Sequence, residues 1–379
     1  ITLAKRSILR CRICADMRAR PEPAMETTRS SKGTGCHRYG SLGRPCLLAG
    51  LLASSVQGVV GMPLLGEYGF LTQFDGITEA EARARVHRMR ELFGILEFQF
   101  YDAVQGYSRP PAPELECWNS SFQKPVRRSI LRAYTEEIRR IGGRSWLYVN
   151  AMATDPHDYQ MQQGFGVAGQ HIVDGRPLLD IIFTNAAWAD RVAPQWAGLA
   201  TGLGFAGIHW DTFGELRPGL TGGLPDFLRA AHNHLRARKL VQTCNFVDGA
   251  GWQEQLYTAA SLRTSVVSFP YWEVWKVPVV EDRFFHGLGS WGGGVFACYP
   301  GTSPSHSGER QNTNAVGVPP LELLIKRWRK ARWHGAAYLA IGDGARHIQT
   351  EYFPNTASIT DDDITKIRSN IFNGFFRFV

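Results

Sequence analysis

Eight apolar runs of strand length follow one another between Gly94 and Asp343, centred on Phe98, Leu147, Ile182, Ile208, Thr243, Val267, Phe296 and Leu339. Helical sequence follows each run. The runs are apolar throughout instead of alternating, as strands covered on both faces require. Eight strand–helix units in succession close most simply into an α/β fold, a (β/α)8 TIM barrel, here spanning residues 62–379. A polar residue stands where each run stops: Asp102, Asn150, Asn185, Asp211, Asn245, Glu273, Tyr299 and Asp343. In such a barrel the C-terminal strand ends share one rim, and that rim carries the chemistry. Any one of these residues alone reads as a helix cap or a solvated loop position; eight in the same place read as a site.

Helices are expected at 79–93, 125–141, 188–203, 224–239, 252–262, 279–288, 319–333 and 361–375. Thr78 with Glu81 forms a capping-box start for the first, and Gly142-Gly143 closes the second. Thr360 followed by Asp361, Asp362 and Asp363 opens the last, placing acids at the positive end of the helix dipole. Residues 155–175, rich in Gln and Gly, are expected as a long loop or an irregular helix.

The net charge of +8 does not indicate a nucleic-acid partner once it is located. Residues 1–61 hold ten Lys and Arg against Asp16, Glu22 and Glu26, which is +7 of the total. The remainder is close to neutral and has no sustained basic stripe. This first segment is expected as a disordered basic extension. Within it, basic residues precede the apolar block Cys46–Ala53 and then Ser54-Ser55, an order resembling a signal peptide. A secreted or extracytoplasmic location is therefore expected. The block is too short and interrupted for a stable membrane span. The seven cysteines form no disulfide framework at this length. Cys11 and Cys14 form a lone CxxC without the second pair that a zinc site needs, so no metal is expected.

The chemistry sits in two stretches. Gly207-Ile-His-Trp-Asp-Thr-Phe-Gly214 is an apolar run delivering one carboxylate, Asp211, just before a turn glycine. Ser265-Val-Val-Ser-Phe-Pro-Tyr-Trp-Glu-Val-Trp275 does the same with Glu273, boxed by Tyr271, Trp272 and Trp275. The first acid ends the fourth run and the second ends the sixth, so both reach one rim. Glycoside hydrolysis needs two such carboxyls, one at the anomeric carbon and one to protonate the leaving oxygen. The aromatic box around Glu273 suits the proton donor, and the more polar setting of Asp211, beside His209, suits the ionised partner. Eleven tryptophans add flat apolar surface of the kind sugars stack on. Other motifs dissolve on inspection. Gly287-Leu-Gly-Ser-Trp-Gly292 precedes a strand instead of following one, so it is no dinucleotide loop. His232 and His234 lie two apart in a helix and cannot share a face.

The pieces Tyr68-Gly-Phe-Leu71, Phe98-Gln-Phe-Tyr-Asp102, Leu147-Tyr-Val-Asn150, Gly204–Asp211, Tyr271-Trp-Glu-Val-Trp275 and Glu351-Tyr-Phe-Pro-Asn355 occur in an order that resembles glycoside hydrolase family 66, the dextranases and cycloisomaltooligosaccharide glucanotransferases. The resemblance covers roughly residues 65–375 and needs no cofactor. It implies that Asp211 is the nucleophile and Glu273 the acid/base of a retaining mechanism. It implies that Asp102, Asn150 and His209 line the donor-sugar subsite, with Trp210, Tyr271, Trp272, Trp275, Asn245 and Tyr299 as further substrate contacts. The expected partner is an α-1,6-glucan polysaccharide or oligosaccharide. Two departures stand out. Ala103-Val-Gln-Gly-Tyr107 replaces the family's Trp- and His-containing segment, and residues 1–61 and the stretch before Val379 leave no space for the family's flanking β-domains. A transglycosylase and a glycan-binding barrel without turnover stay open as alternatives.

Overall fold

The computed structural model describes residues 64–106, 110–120, 124–150, 153–154, 167–173, 176–181, 186–211, 224–247, 266–274, 293–298, 321–348 and 357–372. Contacts divide the chain into Ile1–Gly58 and Val59–Val379, and every described residue belongs to the second unit. The signal-like block and the helices expected at 252–262 and 279–288 lie outside the described residues.

Eight parallel strands form the central sheet. They are β1 (Glu67–Leu71), β2 (Ile95–Phe100), β3 (Arg144–Val149), β4 (Gly207–Trp210), β5 (Val241–Val247), β6 (Pro270–Val274), β7 (Val295–Cys298) and β8, which comes in two pieces, Ala337–Tyr338 and Ile341–Gly342. Each pairs with its sequence neighbour. The ring closes because the first piece of β8 pairs with β7 and the second pairs with β1, through Gly69–Ile341 and Phe70–Gly342. Six helices are described: α1 (Glu79–Phe93), α2 (Arg128–Arg140), α3 (Ala186–Leu203), α4 (Leu224–Arg236), α5 (Leu321–Trp333) and α6 (Asp361–Ile371). Together these elements make the expected (β/α)8 barrel. Thr78 and Glu81 do form the capping box of α1, and Thr360 with Asp363 forms that of α6.

The sheet separates two apolar layers, as strand alternation dictates. Tyr68, Phe70, Trp146, Phe269, Tyr271, Val295, Ala297 and Leu339 fill the barrel interior. Residues of the other phase, among them Phe98, Leu147, Ile208, Trp210, Trp272 and Phe296, pack outward against Met89, Leu131, Trp196, Phe227 and Trp328 of the helices. Gly207 lets two strands approach closely. A Cβ there would come within 2.5 Å of the Val241 carbonyl and 2.6 Å of the Trp146 ring.

Two buried carboxylates tie the N-terminal end of the barrel together. Glu97 of β2 takes Arg144 Nε at 3.0 and 3.1 Å, Arg144 Nη2, the Trp146 indole at 2.8 Å and the Leu65 amide at 2.9 Å. Burial pushes the pKa of Glu97 up while Arg144 draws it down. Glu67 of β1 takes Arg332 of α5 at 2.9 Å and the backbone amide of Tyr338 at 3.4 Å, so it joins three elements at the point of closure. Burial raises its pKa to about 7 against the pull of Arg332.

Three sequence expectations need correction. The run at Leu178–Asn185 is not a barrel strand. Arg176–Ile181 pairs antiparallel with Val167–Val173 and Ala153–Thr154 in a separate three-stranded sheet after β3. Part of the loop expected at 155–175 is thus strand. The local reason is length: Val173 pairs directly with Arg176, and two residues between them leave none for a parallel crossover. The missing barrel strand is β1, Glu67–Leu71, whose glycine makes it read weakly as a strand. The two errors cancel in the count, so Asp211 still follows the fourth strand and Glu273 still lies on the sixth. Finally, α2 starts at Arg128, because Pro125–Arg127 pairs with Cys117–Asn119 as a short hairpin.

Replacing Arg144 with Leu leaves the Glu97 carboxylate buried without its cation. Urea denaturation is expected to show a loss of about 3–5 kcal/mol, most of it recovered when Glu97→Gln is added, since an unpaired buried charge is the main cost.

Candidate active site

Asp211 follows β4 directly, and its backbone amide donates to the Val149 carbonyl at 2.9 Å, continuing the β3–β4 ladder. Its side chain is 7% exposed. Each carboxylate oxygen takes a hydrogen bond. Asn245 of β5 donates its side-chain amide to Oδ1 at 2.6 Å, and the Tyr148 hydroxyl of β3 donates to Oδ2. A buried carboxylate stays charged at modest cost only when donors replace its hydration. Strand registry supplies these donors from two levels: Asn245 stands level with Asp211, while Tyr148 pairs with His209 one pleat lower and its hydroxyl reaches up to the carboxylate.

His209 lies two residues earlier on β4, inside the barrel and fully buried. Its ring stacks on Tyr148 at 6.0 Å and 18°, and meets Tyr271 edge-on at 4.6 Å and 72°. Among the described residues neither ring nitrogen has a hydrogen-bond partner. Burial lowers its pKa to about 3, so the ring is neutral at ordinary pH. It therefore adds no positive charge beside Asp211.

Glu273 occupies β6 opposite Val247 and Ala297, in the same pleat phase as Tyr271. Its level can be read from the registers. Trp210 pairs with Cys244, and Cys244 with Pro270, so Asp211 stands level with Tyr271. Glu273 is two residues further along, roughly 6–7 Å nearer the mouth. The structure thus brings the two acid-bearing positions to one rim, two strands apart and at different heights.

The other expected residues divide into groups. Asn245 touches Asp211 as described. Asn150 ends β3 and is half-buried. Tyr271 is interior, packed on Tyr68 at 5.7 Å as well as on His209. Asp102 follows β2 in the left-handed region with φ 57°, fully buried, and takes the Ser120 hydroxyl at 2.5 Å. The Trp118 indole donates to the neighbouring Ala103 carbonyl at 3.1 Å, so the Cys117–Arg127 hairpin is latched onto this turn. Trp210 and Trp272 are placed differently. Both are buried in the layer between sheet and helices, where Trp210 donates to Gln242 at 2.8 Å and packs on Phe227. Those are packing positions and not the mouth, which corrects the expectation that these two rings contact sugar. Trp275 and Tyr299 lie outside the described residues.

Tyr148 is the residue that sequence reasoning missed. One signal was available. It stands two residues before Asn150, so it shares the phase of a polar strand end in an otherwise apolar run. Among the described residues, no group of three or more His, Cys, Asp or Glu could hold a metal ion, and no helix is long and apolar enough to cross a membrane.

The sequence matches glycosyl hydrolase family 66 over residues 65–288. No curated protein matches. Among solved structures, a cycloisomaltooligosaccharide glucanotransferase from Paenibacillus sp., complexed with cycloisomaltoheptaose, aligns with a TM-score of 0.55 at 20% identity, covering 62% of this chain and 39% of that one. The chain thus spans about two fifths of that protein's length, and the likeness shows the shared fold. An α-amylase from Geobacillus thermoleovorans, complexed with acarbose, aligns with a TM-score of 0.49 at 8% identity, covering 80% and 77%.

Unfolded, His209 takes up a proton below its ordinary value of 6.5; folded, it resists protonation until about 3. The unfolded chain binds more protons across that window, so this group's contribution is fully present above 6.5 and is lost as pH falls. The stability of the unmodified chain relative to His209→Phe is expected to fall by about 3 kcal/mol between pH 7 and pH 4, read by urea denaturation at both values.

Proposed function

The chain belongs to glycosyl hydrolase family 66, and from that premise we propose that it cleaves internal α-1,6-glucosidic links of dextran-like glucans with retention of configuration. The observation that carries the reading is Asp211, a buried carboxylate at the end of β4 with a donor on each oxygen, two strands from the acid-bearing position Glu273 on β6. Asp211 attacks the anomeric carbon while the glycosidic bond breaks and Glu273 gives its proton to the leaving oxygen. The products of this step are a glycosyl ester on Asp211 and a shortened chain with a new hydroxyl. Glu273, now a carboxylate, takes a proton from water as the water oxygen attacks the same carbon. Asp211 is released and Glu273 is protonated again. Asp102, Asn150 and His209, the residues that the family resemblance implies for the donor subsite, are kept as candidate contacts for the donor sugar.

A second reading replaces the water with a sugar hydroxyl and makes the enzyme a transglycosylase. The fold neighbour from Paenibacillus is named a glucanotransferase and holds a cyclic glucan, which favours keeping it. Both readings share the glycosyl-enzyme step, and product analysis separates them.

The test uses dextran and a reducing-sugar assay. Asp211→Ala and Glu273→Gln are each expected to lower release by about 1,000-fold or more, as loss of a nucleophile or an acid does. Proton NMR of the first product should show the α-anomer; a β-anomer means inversion and removes the covalent step. An unmodified chain that releases no sugar would leave a glycan-binding barrel without turnover, and variants that release as much as the unmodified chain would overturn the assignment of the chemistry to Asp211 and Glu273.

A further inference from the structure

We propose that Tyr148 is a positioning residue that holds Asp211 ionised and aimed for attack, an inference that rests on the reactive role of Asp211 given above. Three observations converge. The Tyr148 hydroxyl donates to Asp211 Oδ2, while Asn245 holds Oδ1 at 2.6 Å. With one donor on each oxygen, the carboxylate plane cannot rotate without breaking a bond. Second, the donor is itself fixed. The Tyr148 ring is stacked on His209 at 6.0 Å and packed against Tyr101 at 4.5 Å and 51°, and it is almost wholly buried. A rigid phenol loses little freedom on donating, so its bond is available before substrate arrives. Third, Tyr148 sits on β3 and Asp211 just after β4, joined through the Val149 carbonyl and the Asp211 amide, so the donor–acceptor geometry is set by the sheet and not by a loop.

Among the described residues, the titratable and polar groups near this carboxylate are few. Tyr101 and Asp102 stand at the end of β2, His209 on β4, and Tyr271 and Glu273 on β6. Asp102 is engaged with Ser120. His209 is neutral and lies against Tyr148 face to face, a geometry in which it cannot donate to the same oxygen. Tyr148 is thus the hydroxyl that holds Oδ2, and the strength of its donation sets how readily Asp211 keeps its negative charge.

Tyr148→Phe removes one oxygen and keeps the ring contacts. It is expected to lower kcat about 10- to 100-fold, the loss typical of a hydrogen bond to a charged group, with KM changed less than about threefold. The acid limb of the pH profile of kcat/KM should move up by roughly one pH unit while the alkaline limb stays. A variant that is merely less stable, with both limbs and kcat unmoved, overturns the proposal. Placing 3-fluorotyrosine at 148 keeps the shape and makes the hydroxyl more acidic. That chain should shift the acid limb downward, and a limb that does not move also overturns the proposal. A second readout does not depend on substrate. Carbon-13 NMR titration of the aspartate carboxyls, with Asp211→Asn to assign the signal, should show the Asp211 midpoint rising in Tyr148→Phe. If that midpoint rises while the unmodified chain releases no sugar from dextran, the glucan reading fails and the Tyr148 role stands. If the chain cleaves dextran but neither midpoint nor limb responds, the Tyr148 role fails alone.

Discussion

A parallel sheet becomes a ring only if its first strand finds partners on both edges. Here β1 does so with five residues, pairing with β2 along its length and with the second piece of β8 through Gly69 and Phe70. Everything at the mouth depends on that closure. It fixes the strand registers, and so places the Asn245 amide level with the Asp211 carboxylate and the Tyr148 hydroxyl one pleat below it. Closure also encloses an interior wide enough for aromatic rings, which Tyr68, Phe70, Trp146, Tyr271 and their neighbours fill. The acids at the rim stand on a packed aromatic floor and not above a water-filled channel.

That floor changes the character of the groups embedded in it. His209 would be a proton carrier near neutral pH in water; enclosed by Tyr148 and Tyr271 it stays neutral to about 3. Asp211, two positions further along, differs in having a donor on each oxygen.

The sequence showed the barrel and the order of its acids, and it showed where the acids stand. The positions of Asp211 and Glu273 were legible because eight apolar runs each stop on a polar residue, which marks one rim where a single such residue would not. β1 was not legible, since five residues containing a glycine resemble a loop until the partner edges are known. The run at Leu178 was misplaced for the complementary reason. Apolar composition announces burial but not the partner, and the two-residue connection between Val173 and Arg176 committed it to a hairpin. Trp210 and Trp272 were misjudged because side chains alternate. Each adjoins an interior residue in sequence and therefore faces the opposite layer. Tyr148 escaped notice because its role is relational: a tyrosine in an apolar run looks like packing until registry puts a carboxylate opposite its hydroxyl.

Glu67, at the closure, has a consequence for the protein as a whole. Its carboxyl holds a proton up to about 7 when folded, against 4.5 ordinarily, so across that interval the folded chain binds the extra proton and folding weakens as pH rises. His209 behaves in the opposite sense between about 3 and 6.5. Where the two intervals overlap, from 4.5 to 6.5, one group loses what the other gains. Two buried residues, one at the base of the barrel and one beneath its mouth, thus pull its stability in opposite directions across mild acidity.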